Sequence, residues 1–143
     1  MRPLAQRLAG VDLSAKMIAR AGATGLYDQL EQADLMEYLS PGARRHDLVL
    51  AADVFIYVGA LDAVFEGVSH ILEPGGMFCF SVEEAAGGAG LQLGVNQRYL
   101  HSESYVRALA AEHHFEVMDT RRHPIRDDQR APIPGLFFWL RRS

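Results

Sequence analysis

Three carboxylates, Asp12, Asp34 and Asp53, each close a short strand-like run: Leu8-Ala9-Gly10-Val11-Asp12, Leu30-Glu31-Gln32-Ala33-Asp34, and His46 to Asp53. The chemistry these residues offer is hydrogen-bond acceptance, two oxygens to each group. At the carboxyl end of a central parallel strand, a carboxylate points into the crevice where open α/β sheets bind ligands. The third run is the most informative. Leu48 to Ala52 is continuously apolar between Asp47 and Asp53, which predicts a strand buried on both faces. An Asp after so apolar a run needs a partner, because a buried unpaired charge is costly. Asp12 and Asp34 have a simpler competing use. Each can start the helix that follows it, with Ser14 sharing the work at Asp12.

The elements that must position these acids alternate along the chain. Pro3 to Leu8 reads as the end of a helix, and Leu8 to Val11 as a first strand. Ser14 caps a helix over Ala15 to Ala21, ended by Gly22 and Gly25. Tyr27 to Ala33 reads as a second strand, and Leu35 to Leu39 as a short helical turn stopped at Ser40-Pro41-Gly42. After the third strand, Leu61, Val64, Phe65, Val68, Ile71 and Leu72 fall at helical spacing. Glu73-Pro74-Gly75-Gly76 is a tight turn into a fourth strand, Met77 to Val82. Ala85 to Leu100 reads as an irregular loop. Ser102 caps a helix to about His113, with Val106, Leu109 and Ala110 inward. Phe115 to Arg121 and Leu136 to Leu140 close the chain as strands. The pattern predicts one domain over residues 1–143, a doubly wound, mostly parallel α/β sheet. Two final strands with no helix between them predict an antiparallel carboxyl-terminal edge.

Composition excludes several classes. A chain of 143 residues, 49% apolar and 22% charged, can bury a core as one globular domain. The formal charge of −4 argues against a nucleic-acid backbone as the main partner. Arg121, Arg122, Arg126, Arg130, Arg141 and Arg142 are interrupted by Asp127 and Asp128 and read as a solvated edge. The single cysteine, Cys79, excludes a disulfide framework and fits a reducing cytoplasm, where it reads as a small buried hydrophobe. No apolar stretch is long enough to span a bilayer. The six histidines show no metal-ligand spacing, and no metal is expected.

Gly10-Val11-Asp12-Leu13-Ser14 before an Ala/Met helix, Ala33-Asp34-Leu35, Asp47-Leu48-Val49, and Ile71-Leu72-Glu73-Pro74-Gly75-Gly76 before a strand form an ordered set. That set resembles the class I S-adenosylmethionine-dependent methyltransferases. The segments Asp53 to Gly59 and Arg98 to Ser102 look most like bacterial members associated with tetratricopeptide repeats. The resemblance implies a Rossmann-like fold with S-adenosylmethionine as cofactor. It implies that Asp12 accepts from both ribose hydroxyls, with Leu13 against the adenine. Asp34 would accept from the adenine amino group, and Leu35 would offer its backbone N–H. Ala52 and Asp53 would face the methionine part. Methyl transfer is an in-line displacement on a sulfonium, so the protein chiefly positions the nucleophile. A general base is needed only if the acceptor must lose a proton. Tyr57, Glu83, Tyr99 and His101 are the acceptor-pocket candidates. Their blander readings are two amphipathic rings, a solvated Glu and a surface His.

One feature departs from the resembled family. Its glycine-rich turn lies ahead of the ribose acid, about 20 residues earlier in the analogous dinucleotide fold. Asp12 has too little chain before it, so the fold is expected to be N-terminally truncated, without the first strand and glycine-rich loop. Cofactor binding is then expected to be weak at the methionine end. Two readings compete: methyl transfer to a small-molecule or protein acceptor, or a non-catalytic remnant acting as an interaction module. A nicotinamide-binding Rossmann domain is a third, without its fingerprint glycines. The absent strand belongs between the strands ending at Asp12 and Asp53. Unpaired backbone at two apolar edges is relieved either by direct pairing of those two strands or by pairing with a second copy; the apolar run Leu48 to Ala52 favours the second, hence a homo-oligomer.

Overall fold

The computed structural model describes residues 6–39, 45–51, 54–55, 58–85, 91–93, 99–124, 126–128 and 131–143; for 92, 126–128 and 131–133 only the backbone is described. The chain divides into two compact units, Met1–Ala43 and Arg44–Ser143.

In the first unit, β1 (Ala9–Asp12) pairs in parallel with β2 (Gln29–Gln32), Ala9 opposite Gln29 and Asp12 opposite Gln32. Helix α1 (Ala15–Ala23) is the crossover, begun by Ser14, whose hydroxyl accepts the Met17 N–H at 3.3 Å. A single turn, α2 (Leu35–Tyr38), follows β2. Gly10 is required by proximity: a Cβ there would stand 2.9 Å from the Tyr27 ring. Residues 6–8, expected to end a helix, are not helical; the rest of that expected helix, at 3–5, lies outside the described residues.

The second unit holds β3 (His46–Ala51), α3 (Asp62–Ile71), β4 (Leu72–Glu84), β5 (Leu91–Leu93), β6 (Tyr99–His101), α4 (Glu103–Glu112), β7 (Phe115–Arg122), β8 (Arg126–Asp128), β9 (Ala131–Ile133) and β10 (Gly135–Arg142). The sheet runs β5-β6-β4-β10-β7, and β3 also pairs with β4. The β3–β4 and β4–β6 pairs are parallel, whereas β10 lies antiparallel between β4 and β7. The predicted antiparallel edge is therefore present. Strands β8 and β9 form a separate hairpin.

The core is aromatic. Six of the seven phenylalanines, Phe55, Phe65, Phe78, Phe80, Phe115 and Phe138, pack with ring centroids 4.6–6.1 Å apart. The helical spacing in the sequence finds its reason here: Leu61, Val64, Phe65, Val68, Ile71 and Leu72 are all buried, as are Val106, Leu109 and Ala110 of α4. Each fully buried Val, Leu, Ile or Phe side chain among them contributes roughly 1.5–3 kcal/mol of transfer free energy.

Three expectations are corrected. β3 is not buried on both faces, because Leu48 is 41% and Leu50 51% exposed. Among the described residues its backbone pairs with β4 alone, so it lacks the second neighbour that would bury it. The stretch 85–100, read as an irregular loop, contains β5 and most of β6, which pair antiparallel. The apolar alternation there is too short to show in the sequence. The arginine-rich end is not simply solvated: Arg121 lies over Trp139, and Arg142 donates to the Leu72 carbonyl. Arg130 lies outside the described residues. The turn at Glu73–Gly76 survives as an excursion within β4. The register against β3 jumps there from His46–Leu72 to Leu48–Met77, with Gly75 at φ 82°.

Candidate functional site

Asp12 ends β1 and Asp34 begins α2, two residues past the end of β2. Because β1 and β2 are parallel, both acids stand at the carboxyl end of the pair. That end is tied together. The Ala33 N–H donates to the Asp12 carbonyl at 3.0 Å, and Gln32 Nε2 donates to the Leu13 carbonyl at 3.2 Å.

The competing capping roles can be weighed directly. At α1 the cap is the Ser14 hydroxyl, while Asp12 Oδ1 accepts the Ser14 N–H at 2.8 Å. Asp12 Oδ2 has no partner among the described residues. Asp34 stands at the amino end of α2 with an extended backbone, yet its side chain makes no capping bond. Both acids thus keep acceptor oxygens free beside Leu13, which is 69% exposed, and half-buried Leu35. Free acceptors around an uncovered apolar side chain suit a flat polar-edged ring and a diol.

Ala52, Asp53 and Tyr57 lie outside the described residues. The other three candidates sit in the second unit. The β4–β6 pair sets Glu83 opposite Leu100 and Glu84 opposite His101. Glu83 is 4% exposed and His101 wholly buried, so the solvated Glu and surface His are corrected. Both fall on strands packed inside the sheet, β4 running past the Val82 expected to end it and β6 reaching His101 beyond the expected loop. His101 Nε2 lies 2.8 Å from the Gly59 carbonyl, and Tyr99 is half-buried with its ring against Gly59. Burial holds the His101 pKa below the ordinary histidine range, opposed by hydrogen bonding to the Gly59 and Val58 backbone.

Sequence reasoning missed a charged cleft beside this cluster. It is lined by Glu84 from β4, Ser102, Glu103 and Arg107 from the start of α4, and Arg122 from β7. Arg122 bonds Glu84 at 3.0 Å and Glu103 at 2.8 Å, and Arg107 bonds Glu103 at 2.7 Å. The bond from Arg107, aided by Arg122, draws the Glu103 carboxyl below its usual range, and the two glutamates raise Arg122. The i, i+4 spacing of Glu103 and Arg107 was a legible signal; the partnership with Arg122 required the fold.

The fold also gathers Asp62, Glu112 and His113, whose candidate ligand atoms lie within 4.8 Å of one another. Sequence spacing gave no sign of this trio. Two of the three are exposed acids, which commonly gather without an ion. Cys79 is a half-buried free thiol whose pKa burial pushes up. Among the described residues, no helix is long and apolar enough to cross a membrane.

Solved structures share this fold. One from Listeria monocytogenes, described as an S-adenosylmethionine-dependent methyltransferase, matches with TM-score 0.78 and 18% identity over 97% of this chain and 81% of its own. An S-adenosylmethionine-dependent methyltransferase from Mesorhizobium loti matches with TM-score 0.72 and 22% identity over 96% and 81%. The N-methyltransferase NodS of Bradyrhizobium japonicum, solved with S-adenosylhomocysteine, matches with TM-score 0.72 and 17% identity over 99% and 69%. The shared architecture is the Rossmann-like α/β fold of these enzymes. No curated protein matches significantly in sequence. Residues 1–80, across both units, match the family described as "Methyltransferase domain", and the chain belongs to that family.

Proposed function

We propose that this chain binds S-adenosylmethionine through its adenosine end and serves methyl transfer to a small-molecule or protein acceptor. The observation that carries the reading is the pair Asp12 and Asp34. They share the carboxyl end of two parallel strands, and neither side chain is used as a helix cap. The ribose hydroxyls would donate to Asp12, the adenine amino group to Asp34, and Leu13 would cover the ring. The Leu35 N–H fits the ring edge. The cofactor supplies an electrophilic methyl on its sulfonium. The chain's own part is to hold the adenosine, and Ala52 and Asp53 after β3 are assigned to the methionine end.

For the acceptor we assign Tyr57, Glu83, Tyr99 and His101. Tyr99 is half-buried, and Glu83 and His101 are buried on the paired strands β4 and β6. A reducing cytoplasm is the assigned setting, on the lone free Cys79.

Calorimetric titration with S-adenosylhomocysteine tests the reading. Removing a charge-assisted hydrogen bond costs about 1.5–3 kcal/mol, so Asp12→Ala should weaken binding roughly tenfold or more. Unchanged affinity would remove Asp12 from the site.

A separate observation supports self-association. Leu48 and Leu50 are exposed on a strand hydrogen-bonded, among the described residues, to β4 alone. An apolar edge of this kind is a template for another strand, and the occupant we assign is a second copy of this chain.

A further inference from the structure

We infer that His101 is a positioning residue: its ring holds the Gly59 carbonyl and so fixes the 58–61 segment that leads from β3 to α3. Residues 58–61 belong to neither helix nor strand, so their carbonyl and N–H groups need partners from elsewhere. The Val58 N–H donates to the Phe55 carbonyl at 3.0 Å and the Leu61 carbonyl accepts the Phe65 N–H at 2.9 Å, while side chains from β6 and α4 serve two more groups. His101 Nε2 reaches Gly59 O at 2.8 Å across 42 residues of sequence. The Tyr105 hydroxyl accepts the Leu61 N–H at 2.9 Å. The Tyr99 ring lies so close to Gly59 that a Cβ there would be 3.0 Å from it.

The protonation state follows from the same geometry. A carbonyl oxygen only accepts, so Nε2 must carry the hydrogen. Nδ1 is buried and has no hydrogen-bond partner. Charging the ring would add an unpaired donor in an enclosed place, which is costly. The neutral Nε2–H tautomer is therefore the one that fits. The Tyr105 ring, 5.8 Å away, backs the imidazole.

The clamp is anchored to the sheet. The Ala85 N–H donates to the His101 carbonyl at 3.2 Å, and Glu84 stands opposite His101 in the parallel register. Movement at the end of β4 is thus coupled to the segment after β3. That this segment serves the methyl-transfer site rests on the function proposed above; the clamp itself does not.

Two substitutions separate the hydrogen bond from mere filling of space. His101→Gln keeps an N–H donor near the Nε2 position, and His101→Phe keeps a flat ring without the donor. Hydrogen–deuterium exchange of peptides spanning 58–61 is read against peptides from β10. Losing the donor should speed exchange in 58–61 by about tenfold in the Phe variant, with near wild-type protection in the Gln variant. Equal exchange in both variants, fast or slow, would overturn the assignment. Should either variant fail to fold, the imidazole nitrogen shifts of wild type in NMR decide the point: the neutral Nε2–H tautomer is expected, and a neutral ring carrying its hydrogen on Nδ1 would overturn the clamp. S-adenosylhomocysteine affinity, measured alongside, should fall in the Phe variant and recover in the Gln variant. Failure of the wild-type chain to bind that ligand would sink the proposed function, while the exchange pattern would still judge the clamp.

Discussion

Arg122 and Glu103 meet at 2.8 Å, and the same guanidinium meets Glu84 at 3.0 Å, so one side chain joins the end of β4, the start of α4 and the end of β7. All three groups are solvent-accessible, and salt screens such pairs. Arg122→Ala should lower the melting temperature only slightly at low salt, and the difference should vanish near 1 M salt. A large loss that persists in high salt would show that the bridge does more than the exposed geometry allows.

The aromatic core makes the opposite prediction. Phe78 is fully buried and packs against Phe55, Phe65, Phe80 and Phe115. Phe78→Ala should cost about 3–5 kcal/mol in denaturant unfolding, from lost transfer energy plus the cavity left behind. A cost near that of an exposed site would contradict the packing described.

The turn inside β4 tolerates no side chain at Gly76. A Cβ there would lie 2.8 Å from the Glu73 carbonyl oxygen and 3.1 Å from that of Asp47. Both neighbours are backbone and cannot rotate away. Gly76→Ala should destabilise by roughly 1–3 kcal/mol, the usual range for overpacking. A neutral substitution would mean that the β3–β4 pairing near Asp47 can shift.

Stability should depend on His101 below neutral pH. Burial lowers its folded pKa from the ordinary 6.5, so between the folded value and 6.5 the unfolded chain binds the proton more readily. The contribution is fully present above 6.5 and is lost as pH falls toward the folded value. Tyr105 of α4 packs beside the ring, Tyr99 of β6 lies against the Gly59 it binds, and Glu84 of β4 is its register partner. Unfolding midpoints measured across this window should slope less in His101→Gln than in wild type. Identical slopes would place the pH dependence in other groups.

Much of this arrangement was legible in the sequence, for reasons that separate the local from the non-local. Ser14, Ser102 and the helical spacing of Leu61 to Leu72 are local signals, and they fixed their helices within a residue or two. Asp12 and Asp34 were readable as strand-end residues because one closes β1 and the other stands two residues past β2. What the sequence hid depends on pairing between distant strands. Leu48 and Leu50 read as buried on both faces, because burial depends on a neighbour that β3 does not have among the described residues. His101 and Glu83 read as surface groups, because the β4–β6 pairing that encloses them joins segments with no shared periodicity. The Arg122 bridge was hidden for the same reason.

The central claim is that Asp12 holds a ribose. It is tested most directly by a binding cycle with two ligands and two proteins: S-adenosylhomocysteine and its 2′-deoxy analogue, each titrated into wild type and Asp12→Ala. If the carboxylate accepts from the 2′-hydroxyl, wild type should lose about tenfold or more on removal of that hydroxyl. The variant, already without its acceptor, should lose little further. An equal loss in both proteins would show that Asp12 and the ribose do not touch, and would contradict the account.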